Sequence, residues 1–439
     1  MRDHDIIRKL DDFLKNETDD SKNVEIKSTI PIKDLPQDWR LVKLTEVAEY
    51  INGYPFSVKD WKRSGLPIIR IQNLNDPNAE FNYFDGEIDE KYIVNDGDIL
   101  LSWSGSVGVY MWNRGKAVLN QHIFKVVPKH FVDRKFLYYA IFLAIQQLKE
   151  RVHGSTMKHF RKRELSNTYI LLPPIGEQRR IAEVLSTVDE AIRLVDESIA
   201  KTERLKKGLM QELLTKGIGH KEFKQTEIGK IPKEWKIVRL ENITRKIIDS
   251  PHKMPKRISK GYPFVSVNYV LQFADYNFYI DPNMDGLEYI PRDQYEEFRK
   301  RFDVDKGDII YTKWGTPGVA KLVNTSEKFI GSCSIALIKV KKEVIYPLFL
   351  VYMLNSSIVK CQIIPYSHTT TRTEIHIGHI KKIKVPLPLI QEQKKIAEIL
   401  STIDKRLEFE RKKKAKLQKI KQGLMDLLLT GKIRVRVRK

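Results

Sequence analysis

The residues able to do chemistry in this chain are basic ones set among small polar and aromatic ones. Lys62 and Arg63 follow Trp61, Arg70 leads into Gln72 and Asn73, Trp103 precedes Ser104, and Lys158, His159 and Arg161 crowd around Phe160. A second set comprises Lys253, Lys256 and Arg257, then Ser266 and Asn268, then Lys313, Trp314 and Thr316, and finally Thr371 and Arg372. Arginine, lysine, asparagine and glutamine supply the groups that read base edges in the major groove, while lysine-rich flanks engage phosphates. For any single residue a solvated charge or a core aromatic is the commoner role. As two sets they are candidate nucleic-acid contacts, and a formal charge of +22 over 439 residues asks for an anionic partner in the same sense.

Catalytic chemistry finds no such support. There is no Gly-x-x-x-x-Gly-Lys-Ser/Thr phosphate loop, and Gly315-Thr316-Pro317-Gly318 sits where a strand turn is expected. No Asn-Pro-Pro-aromatic or Asp-Pro-Pro-aromatic motif of amino-methyltransferases is present; Asp281-Pro282-Asn283 reads as a turn. His376 and His379 have ligand-like spacing but lack a third partner, and no serine, histidine and acid arrangement can be assembled. The expectation is no catalytic residue and no metal site. Cys333 and Cys361 are the only cysteines, so no disulfide framework is implied.

Whatever positions these loops occurs twice. Glu177-Gln178-Arg179-Arg180-Ile181-Ala182 returns as Glu392-Gln393-Lys394-Lys395-Ile396-Ala397, and the register holds without a gap through Gly208-Leu209-Met210 and Gly423-Leu424-Met425 to Thr215 and Thr430. In the first copy Ile181, Leu185, Val188, Ile192, Val195, Ile199, Thr202, Leu205 or Lys206, Leu209 and Leu213 alternate steps of four and three, the seam of a coiled coil. A helix from Glu177 to Leu214 would run roughly 57 Å. Proline residues precede it, Glu177 suits its positive end, and Gly217 and Gly219 stop it. The second copy keeps Ile396, Leu400, Ile403, Leu407, Leu417, Leu424 and Leu428 but puts Glu410 and Lys414 into mid-seam, which would weaken pairing or favour an acidic partner. So narrow a stripe wants a partner, and the nearest is the other copy.

The segments between the helices repeat as well. Leu35-Pro36-Gln37-Asp38-Trp39 returns as Ile231-Pro232-Lys233-Glu234-Trp235, Gly65-Leu66-Pro67 as Gly261-Tyr262-Pro263, and Gly97-Asp98 as Gly307-Asp308. Short alternating runs bounded by glycine and proline predict strands and tight turns, with Trp39 and Trp235 in the core. An apolar helix, about Arg134 to Leu148 and about Pro347 to Ser357, closes each module. The fold class expected is α+β: two similar modules of mixed sheet plus helices, alternating with two long helices that pair as an antiparallel coiled coil, in an approximate internal two-fold. The segments drawn are 1–34 as an extension holding a short docking helix or a loose tail, 35–154 and 229–370 as modules, and 155–228 and 371–439 as helical regions. Two variable readers on a fixed spacer suggest two separated half-sites on one duplex. The longest apolar run, Phe136 to Ile145, is too short for a bilayer, and an intracellular, cytoplasmic, nucleoid-associated protein is expected.

The doubled Glu-Gln-Arg/Lys-Arg/Lys-Ile-Ala motif, each after a Leu-Pro segment, the paired Gly-Leu-Met and Leu-Leu-Thr ends and the Ile-Pro-x-x-Trp opening resemble the specificity (S) subunit of type I restriction-modification systems, over nearly all the chain after residue 34. The resemblance implies two target-recognition domains, each reading half of a bipartite DNA sequence. It also implies helices that act as a ruler for the unread spacer and dock two methyltransferase (M) subunits, with restriction (R) subunits joining later. On this reading the chain is not an enzyme and carries no cofactor; S-adenosylmethionine, ATP and Mg belong to the partners, which would flip out an adenine in each half-site. The alternatives are a self-contained enzyme of unusual motif, and a non-catalytic coiled-coil scaffold with non-specific DNA binding.

Overall fold

The structure, a computed structural model, describes residues 36–151, 165–272, 278–280, 287–367 and 373–435. It divides into two compact units, residues 36–194 with 414–435 and residues 195–413. The extension 1–34 lies outside the described residues.

In the first unit a four-stranded antiparallel sheet runs in the order Ala48–Asn52, Ile123–Pro128, Ile99–Ser102, Gly108–Met111. A second sheet orders Asn82–Phe84, Leu66–Ile69, Ala117–Leu119, Ile93–Val94, with its middle pair parallel. The second unit repeats this plan. Thr244–Asp249, Ile335–Val340, Ile309–Thr312, Ala320–Val323 and Tyr279–Ile280 form a five-stranded sheet, and Glu288–Ile290, Tyr262–Val265 and Ile330–Gly331 form a three-stranded one whose last pair is again parallel. The turn glycines repeat for a reason: a Cβ on Gly65 would sit 2.3 Å from the Phe84 carbonyl, and one on Gly261 2.3 Å from that of Ile290, so the neighbouring strand leaves no room for a side chain. In each unit the entry strand pairs antiparallel with the strand that leads out, Arg40–Lys43 with Tyr169–Leu172 and Lys236–Arg239 with Lys384–Leu387. Entry and exit of the module are thereby tied together.

Four helices organise the rest: α1 (Arg134–Arg151), α2 (Ile175–Thr215), α3 (Pro347–Asn355) and α4 (Ile390–Leu428). The helix expected through Ser357 stops at Asn355, and a further one, Ser357–Ser367, follows it. Both α1 and α3 are core helices, α3 with every residue from Leu348 to Leu354 buried. The first turns of α2 lie on the first module's core, where Ile181, Leu185 and Val188 pack with Phe136, Leu137 and Ile141. In the second unit Ile396 and Leu400 pack likewise with Phe349 and Tyr352. The long helices do pair with each other. Within the first unit Leu424, Met425 and Leu428 join the core that holds Ile181 and Leu185. Within the second, Leu213 and Leu214 join the core that holds Ile396 and Leu400. In both, the beginning of one helix meets the end of the other, which is antiparallel pairing.

The seam is less apolar than its heptads imply. At the ambiguous step Lys206 is buried, 6% exposed, and Leu205 is 49% exposed. Lys206 Nζ lies 2.7 Å from Asp404 Oδ1 and 4.2 Å from the Phe278 ring centre, and the Tyr352 hydroxyl donates to Asp404 Oδ2 at 2.6 Å. The first unit holds the counterpart: Lys421 Nζ is 2.6 Å from Asp189 Oδ1, and the Tyr139 hydroxyl donates to Asp189 Oδ2 at 2.7 Å. Glu410 finds partners within the seam. Its carboxylate accepts from Ser198 Oγ at 2.7 Å and Arg406 Nε at 3.0 Å, and Arg411 reaches Glu203 nearby. Ile192, Ile199 and Ile403 are half-buried, whereas Val195, Leu407 and Leu417 are buried.

Burial pushes the Asp404 carboxyl up, against the pull of Lys206 and the Tyr352 hydrogen bond. Removing one partner of such a pair strands the other charge in the interior. Asp404→Ala is therefore expected to cost about 3–5 kcal/mol in denaturant unfolding, and the double change Lys206→Met with Asp404→Leu far less. Equal losses for the two variants would show that the pair is not what the seam depends on.

Candidate nucleic-acid interface

The candidate residues fall at two places in each module, and the sheets explain why. At the end of the larger sheet, Asn52 registers with Phe124 and Phe124 with Leu101; in the second unit Asp249 registers with Ala336 and Ala336 with Tyr311. Asn52 and Asp249 are thus equivalent positions. So are the tight loops beside them: Ser102 Oγ donates to the Ser106 carbonyl at 2.6 Å, and Thr312 Oγ1 to the Thr316 carbonyl at 2.7 Å. The residue after each hydroxyl crosses to the strand end. Trp103 Nε1 donates to Asn52 Oδ1 at 3.1 Å and to the Gln121 carbonyl at 3.2 Å, with the Phe124 ring 5.9 Å away. Lys313 Nζ lies 3.4 Å from Asp249 Oδ2 and 3.7 Å from Glu374 Oε1. One joint is filled by a neutral pair, the other by an ion pair.

Several sequence expectations are corrected by this geometry. Lys313, only 3% exposed at its side chain, is a framework residue with its charge matched inside the module, and Trp103 is a half-buried brace; neither is a free reader. Asn73 is fully buried. Its amide donates to the Ala79 and Glu80 carbonyls and its oxygen accepts from the Arg70 main chain, so it has no edge left for a base. Arg70 stacks 4.8 Å from the Trp61 ring centre and donates to Asn82 Oδ1, and Ser266 caps the short helix Val267–Leu271 by accepting from Tyr269 N.

The second place is the smaller sheet. Lys62 bridges to Tyr83 in the first module and Ile258 to Tyr289 in the second. Lys62, Arg63 and Gln72 are exposed here, as are Lys256 and Asn268. Arg257 stacks 3.9 Å from the Phe264 ring centre and pairs with Glu288 at 2.9 Å, and Lys253 pairs with Glu297 at 3.1 Å. Ser104 and Trp314 are half-buried, Trp314 bridging to Glu374, and Thr316 is exposed on its loop. Lys158, His159, Arg161, Thr371 and Arg372 lie outside the described residues. His376 precedes the short helix Ile377–Lys382 and His379 lies within it, their ring centres 6.0 Å apart, and among the described residues no group of three or more His, Cys, Asp or Glu could hold a metal ion. Among them, too, no single helix is long and apolar enough to cross a membrane.

What the sequence did not signal is the work of the doubled Glu-Gln pair. Glu177 Oε2 accepts from Trp39 Nε1 at 3.0 Å, and Glu392 Oε2 from Trp235 Nε1 at 3.1 Å. Gln178 accepts from Asp133 N and donates to the Phe131 and Pro173 carbonyls; Gln393 accepts from Tyr346 N and donates to the Val344 and Pro388 carbonyls. The first residues of each long helix thus clamp the module's opening tryptophan and the loop before its core helix. Glu177 is clasped again by Arg434, which also pairs with Asp38 at 2.8 Å, and Glu392 by His220 Nε2 at 2.9 Å.

Asp249 carries a testable pH dependence. Burial acts to raise its carboxyl, but the His252 hydrogen bond, Lys313 and Arg301 outweigh burial and hold it below the ordinary carboxylate value. A depressed acid contributes stability above its unfolded value, about pH 4, and loses that contribution as pH falls through the folded value. As pH falls below about 4 wild type should therefore lose more stability than Asp249→Asn, as read by chemical denaturation; parallel pH profiles would refute the assignment.

Known proteins resemble this arrangement over most of its length. The type I restriction modification DNA specificity domain matches residues 36–204 and again 232–419. The type I restriction enzyme MjaVIII specificity subunit of Methanocaldococcus jannaschii is 30% identical over 411 residues, spanning 92% of this chain and 94% of the relative. The type I restriction enzyme EcoBI specificity subunit of Escherichia coli is 26% identical over 379 residues, spanning 82% and 77%. In fold, the crystal structure of a type I restriction-modification system S subunit from M. genitalium aligns with a TM-score of 0.55 at 16% identity, over 89% of this chain and 96% of that one. With the domain present twice over the very segments that repeat in sequence and in sheet order, the chain belongs to the DNA-specificity family of type I restriction-modification systems.

Proposed function

We propose that the two modules each read one half of a bipartite target on double-stranded DNA, and that the paired helices fix the number of unread base pairs between the halves. The chain is the DNA sequence-specificity component of a type I system, and not its catalyst. The observation that carries the bipartite reading is one framework built twice with different chemistry at its equivalent joints, Trp103 on Asn52 and Lys313 on Asp249. Similar frameworks supply similar docking geometry; different joints and loops supply different base preferences. In this reading 35–154 and 229–370 are the target-recognition domains, and 155–228 and 371–439 are the spacer regions that also dock two methyltransferase (M) subunits. Restriction (R) subunits complete the assembly. S-adenosylmethionine, ATP and Mg act on those partners, at cytoplasmic, nucleoid-associated DNA. Exposed Lys62, Arg63, Gln72, Lys256 and Asn268, on the segments that flank the smaller-sheet strands, are the side chains best placed for groove or phosphate contact, together with Thr316 on its loop.

The test is the methylation pattern, at single-molecule resolution, of DNA from cells expressing this chain with its methyltransferase partner and with that partner alone. A split motif of two short half-sites around a fixed gap, present only with both, is expected. Lengthening both long helices by one heptad, about 10 Å, should then widen the gap by about three base pairs, at 3.4 Å per pair, and leave both half-sites unchanged. An unaltered gap would sink the ruler. A complex whose binding is equal on all duplexes, and fades alike on all with salt, would point instead to a scaffold with phosphate-only affinity.

A further inference from the structure

We propose that Arg301 is the guanine-reading residue of the second module, held in reading position by Asp249; this rests on the reading that the module contacts base edges. Arg301 lies outside every loop that composition marks as basic and polar. It follows the helix Arg292–Arg299, and its neighbour Phe302 is fully buried in the module's core, so the backbone beneath it is anchored. Its side chain is nevertheless 54% exposed. Nε donates to the Asp249 main-chain carbonyl at 3.0 Å and Nη2 to Asp249 Oδ1.

A guanidinium carries five N–H groups on two usable edges. The side edge, Nε with Nη2, is spent on Asp249. The end edge remains, with the Nη1 hydrogens and the second Nη2 hydrogen side by side, and no group among the described residues takes Nη1. Two parallel donors are what O6 and N7 of guanine accept in the major groove. A flexible surface arginine loses rotamer freedom when it makes such a contact; here most of that freedom is already gone. The anchor is also secure, because the Asp249 side chain is 8% exposed and its other oxygen faces His252 Nε2 at 3.2 Å and Lys313 Nζ at 3.4 Å. The nearby basic residues are engaged differently: Arg257 lies over a phenylalanine ring and Lys253 on a surface glutamate.

Among the described residues the first module has no such device. At the equivalent strand end stands Asn52, whose side-chain oxygen accepts the Trp103 indole N–H, and a neutral carboxamide gives no charge to hold an arginine. The guanine preference set by Arg301 therefore belongs to the second half-site.

The experiment uses the full chain with its methyltransferase partner, and duplexes carrying the wild-type split motif or single base-pair changes across the second half-site. Wild type should prefer G·C at one position by about 10- to 100-fold, the range of one two-pronged contact. Arg301→Ala should bring that preference below about threefold and leave the first half-site, the gap and the other positions intact. Arg301→Lys, which keeps the charge but not the two separate edges that bind Asp249 and the base together, should lose the preference too while keeping the salt dependence of binding. Arg301→Lys retaining the preference, Arg301→Ala weakening all sequences evenly, or a second half-site without a G·C pair would each overturn the assignment while leaving the specificity function standing. A wild-type complex with no split motif would overturn both.

Discussion

Everything in this chain depends on a carboxylate in the first turn of a long helix. Glu177 and Glu392 sit where the helix N-terminus favours negative charge, and each accepts the indole hydrogen of the tryptophan that opens its module. The next residue, Gln178 or Gln393, takes up the main-chain groups of the loop leading to the module's core helix. Helix axis, module entrance and core helix are thereby fixed to one another by two adjacent side chains. A recognition surface needs such rigidity, since a base contact displaced by an ångström is no contact, and the loops that read are only as well placed as the sheet ends beneath them.

Buried charge plays a second part. Lys206 with Asp404, and Lys421 with Asp189, put an ammonium from the end of one helix against a carboxylate from the beginning of the other, with a tyrosine from the module completing each site. Leucine at these positions would pack in several registers. A lysine that must find its aspartate admits one, so the pairs specify alignment more than they add stability.

The sequence made the framework legible and its chemistry only partly so. The doubled helix, its seam, the core role of Trp39 and Trp235 and the repeated sheet turns all follow from periodicity and spacing, because burial along a helix or strand has a fixed period. Side-chain partnership has none. Asn73 and Lys313 have the residue types of base readers, yet Asn73 ends up holding its own turn and Lys313 sits between two carboxylates that are distant in sequence. Arg301 shows the converse: nothing in its local sequence marks it, and only the fold sets Asp249, distant in sequence, beside it. Leu205 and Lys206 show the same limit inside a helix: the heptad allowed either, and the far partner Asp404 decided.

The first unit's core is closed by residues from the far end of the chain. Leu424, Met425, Leu428 and Leu429 pack among residues 39–188, and Arg434 clasps Glu177 and Asp38. During synthesis the module made first cannot finish its core until residues 424–434 emerge. At about 5–20 residues per second the intervening residues 195–413 mean a wait on the order of ten to forty seconds. The second module, whose helix partners flank it in sequence, is complete almost as soon as α4 is made. The nascent first module thus spends that interval with its helix-binding groove uncovered, the period in which a chaperone or an early-binding subunit has most to cover.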